Sequence, residues 1–167
     1  MAGYASSLRV VVVCTLGLVA ACGQSSPKYH IAYAGADPET DVSGVDATEI
    51  DLAAEHAAAL MGGDPASFSE HGMVVYLHRG PIHLWGDKLY GSTREYVVQT
   101  QLLPCLFDRE SALMHELIHT LFYQQRGDAS ADPYDNQHTD AVWRRIAGQQ
   151  AELRARVCPG QEDATSL

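Results

Sequence analysis

The sequence predicts an α+β fold: a first helix, a small mixed or antiparallel sheet, a helix buried in the middle of the domain, and a C-terminal helix. Three observations predict it. Residues 46–61 carry apolar side chains at helical spacing. Residues 73–100 switch to short β-branched and aromatic runs broken by glycine turns. Residues 109–126 return to a helical pattern that is apolar nearly all round, as a helix enclosed by its own domain must be.

The chain has 167 residues and 46% hydrophobic composition, enough for one compact domain behind a short leader. Its formal net charge of −10 argues against nucleic acid and an anionic membrane surface as partners, because the protein's own field would repel both. We expect a monomer. Arg9 precedes an apolar run from Val10 to Ala21, which at about a dozen residues is too short to span a bilayer, so residues 1–21 read as a cleaved export signal.

Val19-Ala20-Ala21-Cys22 resembles the lipobox of bacterial lipoproteins, with Val19 where leucine is commoner. The resemblance implies that Cys22 carries a lipid and ties the mature protein through its N-terminus to a membrane of the bacterial cell envelope. Residues 23–27 then read as a flexible tether and 28–45, rich in Gly, Pro, Asp and Ala, as an irregular lead-in. The domain is expected over 46–160, with 161–167 a disordered tail. Cys14 is discarded with the signal, which leaves Cys105 and Cys158 as the one pair in the mature domain. In an oxidising compartment they are expected to form a disulfide. Metal ligation by the two thiols is the weaker alternative, since they are far apart and neither belongs to a CxxC pair.

Each element has its own signals. Asp46 with Glu49 three residues on is a capping-box pattern, Ile50, Ala53, Ala54, Ala57 and Met61 share one face, and Gly62-Gly63 stops the helix. His56 reads as a surface or partly buried residue. Strands are expected at Met73–His78, Ile82–Trp85 and Tyr96–Thr100, separated by Gly80-Pro81 and Gly86-Asp87, in a sheet of three or four strands. His78 and His83 read as half-buried strand residues. For the buried helix, Asp108 is the expected N-cap, Glu110 favours the positive end of the dipole, and Gly127 is the stop. Leu113, Met114, Leu117, Ile118, Leu121 and Phe122 make it apolar. After a polar loop over 128–137, the last helix carries Val142, Ile146 and Leu153 inward and ends near Cys158-Pro159.

The chemistry lies on the buried helix, which reads His115-Glu116-Leu117-Ile118-His119, an HExxH motif. Histidines four apart lie one turn above each other, so both imidazoles can reach a single Zn²⁺ at ~2.0–2.1 Å. Glu116, rotated about 100° round the helix, falls beside the ion rather than on it, where a carboxylate can take a proton from water and pass it on. A zinc site that keeps a position for water needs a third protein ligand. His138 is the first choice, neutral and nitrogen-donating, at or just inside the start of the last helix. Asp140, Asp135 and Asp132 are the competitors. If His138 ligates, Asp140 or Asp135 could hold its other ring nitrogen.

Over residues 110–140 the chain resembles the zincin superfamily of zinc metallopeptidases. It departs from the thermolysin-type members, whose third ligand is a glutamate where His138 stands. It departs too from the metzincin pattern, since Phe122 and Gln125 occupy the positions of its glycine and third histidine. The aspzincin Gly-Thr-x-Asp signature is missing as well. The resemblance implies a zincin-like fold, Zn²⁺ as cofactor, and a peptide substrate laid along the edge strand of the sheet, at Met73–His78 or Ile82–Trp85. It also implies an oxyanion-stabilising side chain, for which Tyr134 and Tyr123 are the candidates. The expected function is a zinc-dependent hydrolase, a peptidase, with Glu116 as its base. The alternative is a non-catalytic zincin-fold lipoprotein that binds a protein or cell-wall partner, with zinc serving structure. Zinc storage is disfavoured, because the remaining histidines are scattered.

Overall fold

The computed structural model describes residues 23–84, 87–108, 110–127, 138 and 141–159, which form an α+β domain with four helices and a mixed sheet. Residues 1–22, with Cys22 and the expected export signal, lie outside the described residues, as do Asp132, Tyr134, Asp135, Asp140 and the expected tail at 161–167. Among the described residues no helix is long and apolar enough to cross a membrane.

The chain starts on strand β1 (Gln24–Ser25), which pairs antiparallel with β2 (Ala32–Gly35). Helices α1 (Ala47–Met61) and α2 (Ala66–Glu70) follow, then β3 (Val74–His78), parallel to β2 in the register Ala32↔Val74. A separate hairpin of β4 (Ile82–Leu84) and β5 (Asp87–Leu89) leads into β6 (Gly91–Arg94). Strand β7 (Val97–Gln101) runs parallel to β3 and antiparallel to β6, so the sheet order is β1-β2-β3-β7-β6. Helices α3 (Leu113–Arg126) and α4 (Val142–Val157) complete the domain.

Alternation along the strands sets the core. Tyr33, Val75, Leu77 and Val98 are buried together with Leu113, Met114, Leu117, Ile118, Leu121 and Phe122 of α3, which is the enclosed helix the sequence predicts. The packing face of α1 is mostly alanine, with Ala53, Ala54 and Ala57 all at 0% exposure. Such small side chains let the backbones of α1 and α3 approach closely.

Four expectations need correction. Residues 23–35 are not a tether and the start of an irregular lead-in: they contribute β1 and β2, and Ser26 and Ile31 are buried, while residues 36–45 carry no helix or strand, as expected. The stretch Ala-Tyr-Ala-Gly has little strand propensity of its own, and pairing with β3 makes it a strand. Second, the capping box is only half formed. Asp46 accepts from the Thr48 amide at 3.0 Å, but Glu49 turns inward and accepts the Leu106 amide at 2.6 Å, fastening α1 to the segment before α3. Third, α3 begins at Leu113 rather than near residue 109, so Asp108 is not its N-cap. Instead the Ser111 amide donates to the Asp108 carbonyl at 2.9 Å, a turn that precedes the helix. Fourth, β3 lies at the centre of the sheet and β4 in the separate hairpin, so neither expected segment is an edge of the main sheet; its edges are β1 and β6.

Cys105 and Cys158 are joined as a disulfide, their Cα atoms 6.2 Å apart. The bond ties the approach to α3 to the end of α4. The Glu49 carboxylate stands 3.7 Å from the Cys158 sulfur, and burial pushes its pKa up.

Candidate metal centre

Burial of the apolar faces of α3 leaves one short polar stripe, His115, Glu116 and His119, directed at a cleft between β6 and α4. Gly127, at φ 67°, closes the helix with its amide on the Tyr123 carbonyl at 2.8 Å. The cleft has a volume of ≈510 Å³, within the range of small-molecule and peptide sites. Gly91, Ser92 and Thr93 of β6 form one wall, and Trp143, Ile146 and Ala147 of α4 the other.

Three imidazoles meet in this cleft. The Nε2 atoms of His115 and His119 are 3.1 Å apart, and those of His115 and His138 3.2 Å. A tetrahedral ion with Zn–N bonds of ~2.0–2.1 Å would separate its nitrogen donors by about 3.3–3.4 Å. Imidazoles on one such ion would have centroids about 5 Å apart, and the observed spacings are 4.9, 5.2 and 4.9 Å. The donor set, neutral nitrogens converging on one point, suits zinc. His138 precedes α4 by four residues instead of lying inside it. The competing aspartates fall outside the described residues.

Glu116 lies on the same face of α3 and points to the edge strand. Its Oε2 accepts the Thr93 hydroxyl at 2.6 Å, and the same hydroxyl lies 3.0 Å from the Glu116 carbonyl. Gly91 makes this approach available: a Cβ there would stand 2.5 Å from the Ala112 Cβ and 2.7 Å from Glu116 Oε1. Gly91→Ala is therefore expected to push β6 away from α3, costing about 1–3 kcal/mol of stability. It should displace the carboxylate while leaving the three imidazoles together. Denaturant unfolding alongside zinc titration separates the two effects; an unchanged midpoint would contradict the close approach.

Burial sets the charge states. Desolvation, with the two neighbouring imidazoles adding to it, holds His115 down to about 3. Desolvation pushes Glu116 up to about 8, against the Thr93 hydrogen bond that lowers it. In metal-free protein these act in opposite senses. His115, ordinarily 6.5, contributes stability that is full above about 6.5 and is lost as pH falls towards 3. Glu116, ordinarily 4.5, contributes stability that is full below about 4.5 and is lost as pH rises towards 8. The two slopes cancel between 4.5 and 6.5, so urea midpoints measured in chelator should peak there and fall on either side. A midpoint rising steadily through pH 8 would contradict the buried neutral carboxyl.

The other sequence candidates lie elsewhere. His78 bonds Gln99 at 2.9 Å, His83 is exposed, and His56 is half-buried on α1. Tyr123 packs edge-on against Tyr96, centroids 5.2 Å apart, and does not line the cleft. Nothing in the sequence pattern marks Gly91, Thr93 and Trp143 as site residues. The segment Gly-Ser-Thr-Arg is too polar to register as a strand, and a tryptophan early in an amphipathic helix reads as core. No family model matches the chain, and no curated protein or solved structure matches it.

Proposed function

We propose that the protein is a zinc-dependent hydrolase that cleaves peptide bonds. The observation that carries this reading is the convergence of the His115, His119 and His138 nitrogens in a cleft that also holds the buried carboxylate of Glu116. His115, His119 and His138 would hold the ion, which when bound supplies Lewis acidity and lowers the pKa of water towards neutrality. Glu116 takes the proton from the attacking water and delivers it to the leaving amine. Thr93 fixes the carboxylate in one orientation through its 2.6 Å bond, so the base is aimed before substrate arrives.

The edge strand supports a peptide as the substrate. Strand β6 ends the sheet order, and its residues Gly91, Ser92 and Thr93 line the cleft. An extended peptide can pair with such an edge through main-chain hydrogen bonds, which bring a backbone carbonyl alongside the histidines. The apolar wall from Ile146 and Ala147 would then accept an uncharged side chain. The export signal and the lipid on Cys22 belong to the same proposal and place the activity at the bacterial cell envelope.

Incubation of zinc-loaded protein with a denatured protein substrate tests the reading directly. New peptide N-termini should form, vanish on chelation and return with added zinc. A zinc-loaded sample that cleaves no peptide would favour the binding role over the hydrolase.

A further inference from the structure

We infer that Trp143 is a positioning residue for the three-histidine centre, an aromatic platform that fixes the tilt of all three imidazoles and thereby sets metal affinity. The inference rests on the zinc reading above. The indole centroid lies 4.3 Å from that of His115, 4.9 Å from that of His119 and 4.9 Å from that of His138. The three imidazole centroids are themselves 4.9, 5.2 and 4.9 Å apart. The four rings therefore form a nearly regular tetrahedron of centroids, with the indole as its apex over a base of imidazoles. Its plane is inclined to theirs by 36°, 42° and 25°, a compromise that suits all three.

Two physical effects follow. Rotation about the bond that carries an imidazole ring is soft, so an unsupported histidine samples many ring orientations and must give them up to bind an ion. Packing against the indole, stacked for His138 and tilted for His115 and His119, removes that freedom beforehand. Further, imidazoles that ligate a dication become electron-poor, and the negative face of an indole attracts them more than it attracts neutral rings. The stacking is thus stronger in the loaded protein than in the metal-free one, which is the condition for it to raise affinity.

The platform is itself anchored. Trp143 sits on α4 beside the buried Val142, three residues before the buried Ile146, and near Phe122 of α3 at 6.1 Å. On the same face of α4, Gln150 Nε2 donates to the Asp108 carbonyl at 2.6 Å and to the Ser111 carbonyl at 3.0 Å. Helix α4 is thereby clamped to the approach to α3. Two of the ligands come from α3 and the third from the segment before α4, so one indole spans both sources.

Zinc dissociation constants, measured by competition with a chromophoric chelator, test the role in the wild type, Trp143→Phe, Trp143→Leu and Trp143→Ala. Thermal unfolding of each metal-free variant reports whether it folds, and the Co²⁺ absorption spectrum reports ligand geometry. Affinity should fall by about 10–100-fold in Trp143→Leu and Trp143→Ala, the range for groups that orient ligands from outside. Trp143→Phe keeps a flat face and should lose less than tenfold. A folded Trp143→Leu that binds zinc as tightly as the wild type and leaves the Co²⁺ spectrum unchanged would overturn the inference, since the indole would then merely fill space. A wild type that takes up no zinc would instead overturn the metal reading on which it rests.

Discussion

His138→Ala is expected to lower zinc affinity by well over 100-fold, beyond the ~10–100-fold cost of disturbing a group that only orients a ligand. The reason is geometric. His115 and His119 share one face of α3, and two nitrogens of a single helix hold an ion only by an edge. The third, 3.2 Å from His115 Nε2, comes from a different part of the chain and completes the set. The variant should still fold in chelator and unfold only somewhat below the wild type, since metal-free protein loses the packing of the His138 ring on Trp143 and His115 but no metal bond. Asp140→Ala and Asp135→Ala, two of the alternatives the sequence leaves open beside Asp132, are expected to retain one equivalent of zinc. Equilibrium dialysis of the four proteins decides between them, and loss of zinc in Asp140→Ala alone would transfer the third ligand to that residue.

Glu116→Gln is expected to keep zinc and lose hydrolysis by about 10²–10⁴-fold, the usual contribution of a positioned general base. Glutamine preserves the volume beside Gly91 and can still accept the Thr93 hydroxyl, so the change removes basicity with little else. In metal-free protein, burial keeps the Glu116 carboxyl protonated up to about 8. A dication in the neighbouring triad would favour the ionised form, because the ion's charge is the largest in the site. On the proposed reading, the base would be made available by the same event that loads the metal. Rates on a cleaved peptide, with zinc content measured on the same samples, check this; a Glu116→Gln protein as active as the wild type would remove Glu116 from the mechanism.

The legible part of the fold lies where local pattern and tertiary structure agree. Helix α1, the enclosed α3 and the inward Val142, Ile146 and Leu153 of α4 follow from helical periodicity. Strands β3 and β7 follow from β-branched runs. The HExxH spacing and His138 bring three nitrogens together as residue chemistry suggests, because i and i+4 on a helix must face the same way. What stayed hidden depends on partners distant in sequence. Ala32–Gly35 becomes a strand through pairing with Val74–Leu77, and Gly91–Arg94 through pairing with Val97–Thr100. Glu49 left its expected cap because the Leu106 amide, 57 positions away, offered a buried bond.

The missed site residues have the same origin. Thr93 is significant only because β6 brings its hydroxyl to Glu116, and Gly91 only because a side chain there would collide with that carboxylate. Neither relation leaves a periodic trace in the chain. The apolar runs suggest an edge strand at Met73–His78 or Ile82–Trp85, yet an apolar run suits a central strand; β3, paired on both sides by β2 and β7, fits that rule, while the polar Gly-Ser-Thr-Arg suits an edge beside a cleft.

X-ray absorption at the zinc edge on the purified wild-type protein reports whether three imidazoles hold one zinc ion. The expected result is one equivalent of zinc with nitrogen donors at ~2.0–2.1 Å and the scattering pattern of three imidazoles. Protein prepared without chelators that contains and accepts no zinc, or zinc with sulfur donors at ~2.3 Å, would contradict it.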